Sequence, residues 1–497
     1  MKNSGIRLAW AASIAFACIA PAIAHPGGHG PAPVAPWQQG SRWPDRIILT
    51  FESDPARSLA VSWRTSADVK ATVAEIALAT PDARFDIGAT RVNAETSPLD
   101  LQSIAHEGVK LPMPRNEGLP AVHYHSARFD GLEPDTLYAY RVQGADGVWS
   151  EWFQARTAPL TGPVKFIYVG DAQNGILSHW SRTIRAAFQA APDARFILHA
   201  GDLVNRASRD YEWAEWFKAS GFIHGMIPAI PVAGNHEYEA LGLTEESKQR
   251  VLSALWRPQF RLPVDTSLPE NMHETVYEVR YSKDVHIFVL DSNFKDFAPQ
   301  AQWLDTKLAA SDARWRIVTM HHPVYSSGRD RDNKQLRDTV LPVLRKHNVD
   351  LVLQGHDHTY ARGMMQPGAQ APARTALKKG DELAVMFVNS VSGPKQYKFK
   401  ENGWDTYRPT GVNLERFSEN TQFFQIIEVD GDTLGYTAWT ADGQLYDSVE
   451  VTKTAAGRKT IKATNTSRMP IRRFEGTAPY EGVKSDEPAP ASAPAAQ

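Results

Sequence analysis

The chain has 497 residues, with 54 Lys and Arg against 56 Asp and Glu, and a single cysteine, Cys18. A formal charge of −2 provides no field to gather nucleic acid or an anionic membrane. One cysteine rules out a disulfide framework, and a chain of this length buries enough apolar surface to fold without one.

Residues 1–24 read as a signal peptide. Lys2 and Arg7 give a basic start, LAWAASIAFACIA a short apolar core, and Ala22-Ile23-Ala24 a small-x-small cleavage pattern. Pro21 closes the apolar run well short of the roughly 20 residues a spanning helix needs. The mature protein is therefore expected to be periplasmic or secreted, to start near His25, and to keep no membrane anchor. It would carry 52 basic and 56 acidic side chains and no cysteine, which suits a bacterial periplasm. Residues 25–43, rich in Pro and Gly, read as a linker.

From 44 to 157, short stretches alternate apolar and polar residues: RIILTFE, LAVSWRT, VHYHSARFDGL, TLYAYRVQG and VWSEWFQART. Such spacing, without a helix-length segment, predicts an all-β sandwich. Trp63 and GLEPDTLYAYRV (131–142) resemble a fibronectin type III-like domain. APLTGP (158–163) is a hinge, and from 164 to 453 apolar strands alternate with helical stretches at 178–191, 211–220, 244–256 and 335–348. That pattern predicts an α/β domain with mixed sheets flanked by helices. Strand patterns return at 384–391 and 422–451, and the Pro/Ala-rich tail, 477–497, reads as disordered.

Within the second domain, five apolar strands run out into polar residues. KFIYVGD ends at Asp171, ARFILHAGD at Asp202, and IPAIPVAGNHE at Asn235, His236 and Glu237. WRIVTMHHP ends at His321 and His322, and VDLVLQGHDH at His356 and His358. Open α/β sheets collect ligands beyond the C-terminal ends of their strands, so these residues are expected to converge. Carboxylates, an amide oxygen and imidazoles without thiolates form a donor set for Zn, Mn or Fe rather than for a structural zinc. Two such ions ~3.5–4 Å apart need a shared anion, for which Asp202 is suited. A Gly-Asp turn alone signals little; the ordered series GD, GD, GNHE, HHP and GHDH is specific.

That series resembles the calcineurin-like metallophosphoesterases, and with the sandwich in front and GHDHTYAR at 355–362 it is similar to the purple acid phosphatase branch. The resemblance implies two metal ions (Fe, Zn or Mn): Asp171 and His358 on one, Asn235, His321 and His356 on the other, and Asp202 between them. The family's H-x-P pattern selects His321 over His322. Two departures stand out. Asn205 occupies the place of the family's tyrosine ligand and so is a candidate metal ligand, and the loop YSSGRDRDN (325–333) has Arg329 and Arg331 but no histidine. A neutral amide at 205 cannot supply a phenolate, so the expectation is a colourless or only faintly coloured enzyme that favours two divalent ions.

The activity this implies is hydrolysis of small phosphate monoesters by in-line attack of a hydroxide generated at the metals. His236 is the candidate proton donor to the leaving group, with Glu237 fixing its tautomer. Arg329 and Arg331 are the candidate phosphate-binding cations. A phosphodiesterase or nucleotidase with the same site is the alternative, and an inactive exported binding module a second. Nothing in the sequence sets an oligomeric state.

Overall fold

The computed structural model describes residues 35–106, 109–113, 116–240, 250–366, 382–463 and 467–474. The expected signal peptide and tail lie outside these residues. The later part of the expected linker does not behave as a free arm. Pro36–Gln38 forms a short turn, Gln38 is buried, and the Trp37 ring packs 5.7 Å from Tyr211 and lies 5.1 Å from Lys218 Nζ.

The N-terminal domain is two facing β-sheets. One contains Asp45–Thr50, Ser58–Ser66, Val122–Asp130 and Glu95–Leu99, and the other Val73–Leu78, Leu137–Val142, Phe153–Arg156 and Thr90–Asn93. Alternation fills the space between them: Leu59, Val61 and Trp63 from one strand meet Ala74, Ile76, Tyr140 and Phe153 from the other sheet. Trp63 also needs a partner for its indole N–H, which donates to the carbonyl of Gln143 at 2.9 Å.

The second domain packs two mixed sheets face to face. In the first, Val164–Val169, Ile197–His199 and Ala229–Pro231 run parallel, with Ile167 opposite Ile197 and Ile197 opposite Ala229. Phe423–Asp430, Thr433–Thr440, Leu445–Lys453 and Lys459–Ala463 extend it antiparallel. In the second, Val285–Val289, Trp315–Thr319, Leu351–Gln354 and Val385–Asn389 run parallel. These strands are apolar at nearly every position because both faces are covered. Ile287, Ile317, Leu351 and Leu353 face the other sheet, while Phe288, Val318, Val352 and Phe387 face the helices Ala298–Ala310 and Lys334–Lys346. The latter helix presents Leu336, Val340, Leu341 and Leu344, one apolar stripe.

The two domains share a sheet, since Thr50 pairs in parallel with Ala229. Beside that seam Arg46 holds Asp210 through two hydrogen bonds of 2.8 Å, both side chains being buried, and Arg64 holds Asp45 and approaches Asp210 at 3.4 Å. The N-terminal sandwich thus continues the sheet whose strand ends carry Asp171, Asp202 and Asn235.

Three expected helices are present, at Ser181–Ala190, Asp210–Ser220 and Lys334–Lys346. The fourth, 244–256, is not helical over 250–255: Arg250–Leu252 is a strand paired with Tyr238–Ala240, and the helix starts only at Trp256, as the short Trp256–Gln259. The paired strand has first claim on the backbone N–H and C=O groups of 250–252.

Candidate metal centre

The five strand ends converge as the sequence pattern predicts. Asp202, His321 and His356 bring ligand atoms within 4.8 Å of one another, and so do Asp171, Asp202 and His358. Asp202 belongs to both groups. Asn235 joins the first, its Oδ1 lying 3.1 Å from His321 Nε2 and 2.8 Å from His356 Nδ1.

Local backbone explains how so many polar groups are packed together. Asp171, Asp202, His356 and His358 all have positive φ, between 47° and 72°, a conformation that costs a non-glycine residue about 1–2 kcal/mol. Each strand therefore turns abruptly and delivers its side chain at the turn. Two glycines make the close approach possible. A Cβ on Gly355 would lie 2.4 Å from Asp171 Oδ2, and one on Gly234 would lie 2.3 Å from Asp202 Oδ1.

The imidazoles are oriented by carbonyls behind them. His321 Nδ1 donates to Ala200 O at 2.8 Å, and His358 Nδ1 donates to Lys395 O at 2.8 Å. Each bond fixes the ring's orientation and aims Nε2 into the cluster. Burial pushes His356 and His358 well below the usual histidine range, so both rings are neutral. Burial also opposes charge on His321 and Asp202, yet the Asp202 carboxylate lifts His321 to about 9, and His321 holds Asp202 well below the usual carboxylate range. Cation uptake at that group must therefore release a proton. Burial, with the Asp202 charge beside it, pushes Asp171 the other way, well above the usual range. Neutral or deprotonable imidazoles, carboxylates and an amide oxygen on prepaid turns fit a pair of divalent ions.

His236 lies beside this cluster, its Nε2 3.9 Å from Asp202 Oδ2. Burial, partly offset by Asp202, pushes the ring below its ordinary range. Its Nδ1 donates to the carbonyl of Asn205 at 2.5 Å. That carbonyl fixes the tautomer, and the expectation for Glu237 is corrected. The Glu237 carboxylate is fully buried and accepts N–H groups from Gly234 (2.7 Å), Asp202 (2.8 Å) and Leu203 (2.8 Å), tying two strand-end loops together. Burial and the Asp202 charge push it up to about 8.

The two arginines separate. Arg331 is half-buried, with Nη1 3.4 Å from His356 O and its guanidinium 4.7 Å from the Tyr397 ring. Arg329 turns outward to Glu401 at 3.7 Å, which corrects its placement at the site. The aspartate between the two GHDH histidines has a separate task. Asp357 Oδ2 accepts from the N–H groups of Ser327 and Gly328 and so anchors the loop that carries Arg331. Tyr360 and Arg362 also point away from the cluster, both bonding to Asp447. His322 donates or accepts at Ser292 Oγ (2.8 Å), and its ring packs tilted against His356 with centroids 4.1 Å apart. The Asn205 side chain meets Asn174 (3.3 Å) rather than a ligand atom, and Tyr211 packs on Trp37.

Three residues were not foreseen. Gln173 is fully buried, and its amide nitrogen lies 2.7 Å from Asp202 Oδ2 and 3.1 Å from His358 Nε2. Lys395 adds positive charge that lowers His236 and His358, and Tyr397 covers the His358 ring at 4.6 Å. The only sequence cue was position: Gln173 is two residues past Asp171, and SGPKQY (392–397) follows one more apolar strand.

This is a metallophosphoesterase fold with two overlapping groups of potential metal ligands at its strand ends. Residues 164–360 match the calcineurin-like phosphoesterase family, and residues 44–157 match the purple acid phosphatase N-terminal domain. The chain thus carries a calcineurin-like phosphoesterase domain preceded by a purple acid phosphatase N-terminal domain. It is 28 % identical over 274 residues to an Arabidopsis thaliana protein named "Probable purple acid phosphatase 20", and 28 % over 257 residues to purple acid phosphatase 1 of Ipomoea batatas. These matches cover 53 % and 48 % of this chain, and only 58 % and 51 % of the relatives' own lengths. The fold is similar to that of a purple acid phosphatase from yellow lupin (Lupinus luteus) seeds, with TM-score 0.64 at 16 % identity over 84 % of this chain and 75 % of that one. It also resembles PhoD, with TM-score 0.59 at 13 % identity over 86 % and 94 %.

Proposed function

We propose that the protein is an exported, metal-dependent phosphatase that hydrolyses small phosphate monoesters at a dinuclear centre. The observation that carries this reading is the pair of ligand groups sharing Asp202, four of whose five residues are held in left-handed turns. In this reading Asp171, Asp202 and His358 hold one ion, and Asp202, Asn235, His321 and His356 the other. When bound, the pair acidifies water and screens the charge of the phosphate.

The chain's own groups complete the chemistry. Arg331 and Lys395 flank the cluster with fixed positive charge, which favours a phosphate dianion over neutral ligands. His236, with Nδ1–H committed to Asn205 O, presents Nε2 to the site. Burial keeps that ring neutral in the free protein, and an arriving dianion supplies the negative charge that favours its protonated form. It then holds the proton that the leaving alkoxide requires. Tyr397 and the His322 ring cover the outer faces of His358 and His356 and limit water around them.

The test is turnover of p-nitrophenyl phosphate and bis(p-nitrophenyl) phosphate by metal-loaded protein, with Asp202→Ala as the control. Faster hydrolysis of the monoester, abolished in the variant, is expected. A preference for the diester would reassign the substrate, and no turnover of either by the two-metal form would defeat the reading.

A further inference from the structure

We propose that Glu212 is a positioning residue for His236, acting through the peptide group that joins Asn205 to Arg206. The inference rests on the proton-donor reading of His236 and adds the means by which that ring is held.

The geometry starts from one peptide engaged on both sides. Its carbonyl, Asn205 O, accepts the Nδ1–H of His236 at 2.5 Å. Its N–H, on Arg206, donates to Glu212 Oε2 at 2.8 Å, and the N–H of Asn205 donates to the same oxygen at 2.7 Å. One oxygen therefore fixes the peptides before and after Asn205, and with them the direction of the carbonyl that meets His236. A peptide whose N–H is already engaged is also a stronger acceptor, because hydrogen bonds in series polarise one another. Among the described residues no side chain bonds to His236 Nδ1, so this carbonyl alone orients the ring.

The loop from Asp202 to Ser208 divides its N–H groups among three carboxylates. Glu237 takes those of Asp202 and Leu203, Glu212 those of Asn205 and Arg206, and Glu239 that of Ser208 at 2.9 Å. Glu237 thus holds the part that carries the shared carboxylate, and Glu212 the part that faces His236. Glu212 is buried in the first turn of the helix Asp210–Ser220, with Oε1 3.6 Å from Arg209 Nη1. The buried Arg46–Asp210 pair pins that turn, so the N-terminal domain braces Glu212 in its turn. Burial pushes Glu212 up to about 7, and near that pH the carboxyl is partly neutral. Its role falls to the oxygen as an acceptor rather than to its charge.

A misdirected proton donor costs most where the leaving group is poor. The test compares Glu212→Ala, Glu212→Asp and Glu212→Gln, and Glu212→Ala combined with His236→Ala, on ethyl phosphate and p-nitrophenyl phosphate, with metal content measured in each. Glu212→Ala should lower kcat on ethyl phosphate roughly tenfold or more, shift KM and the aryl ester rate less than about twofold, and retain its metal. Glu212→Asp, one methylene too short to reach both N–H groups, should show the same selective loss and decides the matter if the alanine variant does not fold. Glu212→Gln keeps an acceptor oxygen at full length and should restore most of the ethyl phosphate rate. Adding Glu212→Ala to His236→Ala should cost nothing further on ethyl phosphate, since the two residues act as a unit. Equal losses on both esters, loss of metal, or losses that multiply in the double variant would make Glu212 a structural brace and overturn the proposal alone. No selective loss in His236→Ala would remove the proton-donor reading, and a wild type that hydrolyses neither ester would remove the phosphatase reading; either takes the proposal with it.

Discussion

Glu237 offers the sharpest mutational contrast, because its two candidate roles predict different failures. A tautomer-fixing carboxylate would matter to rate and little to folding. The observed carboxylate binds backbone instead: Oε2 accepts from Asp202 and Gly234, and Oε1 accepts from Leu203 and, at 3.4 Å, from Val204. Glu237→Ala leaves four buried N–H groups without that acceptor, at about 1–3 kcal/mol for each of the three well-bonded ones. Some relaxation and water entry reduce that sum, so a loss of about 3–5 kcal/mol is expected, the range for removing one partner of a buried charged network. Glu237→Gln is more informative. Both oxygens are acceptors, so either orientation of the amide sets an NH₂ against an N–H, and about 2 kcal/mol should be lost despite equal volume. Urea unfolding of the metal-free proteins at pH 9, where the carboxylate is ionised, measures both, with unchanged m-values showing that only stability moved. Asp202 hangs from the same loop, so metal affinity should fall in parallel. If both variants lie within about 0.5 kcal/mol of wild type, the range of ordinary surface changes, the clamp argument fails.

The other expectations concern the site and its pH limits. His236→Ala should lose most of its rate on alkyl phosphates and less on activated aryl esters, with two metals retained; equal losses on both would make His236 structural. Arg331→Ala should raise KM several-fold while Arg329→Ala changes little, and equal effects of the two would contradict their separate placements. His199 and His224 are buried at 3.2 Å from each other, and burial pushes His199 down to about 3 and His224 well below the usual range. The unfolded chain therefore binds more protons below pH 6.5, and stability should fall as pH drops from 6.5 towards 3, by about 1.4 kcal/mol per pH unit for each ring. Replacing both with glutamine should flatten that slope in pH-dependent unfolding; an unchanged slope would place the acid sensitivity elsewhere.

The site was more legible than much of the fold around it. Strand ends that run through Gly into Asp, Asn or His are local events, and the parallel order of the strands brings them to one edge, so Asp171, Asp202, Asn235, His321, His356 and His358 could be read without tertiary information. Residues whose roles depend on which neighbour they meet could not. Glu237 faces N–H groups set by two other loops, Arg329 swings to Glu401, and Gln173 gains meaning only beside Asp202 and His358. The helix Ala298–Ala310 was missed because Ala301, Leu304 and Leu308 form a thin stripe interrupted by polar residues. Arg250–Leu252 was misread because it is an amphipathic stretch whose pairing with Tyr238–Ala240 lies across a loop.

The central claim is that one carboxylate, Asp202, joins two metal ions. Metal analysis of purified wild-type protein beside Asp202→Ala, checked for native folding by circular dichroism, tests it most directly. The account predicts two ions per wild-type chain and fewer than one in the folded variant, since both ligand groups lose a shared donor. Two ions retained by folded Asp202→Ala would contradict it.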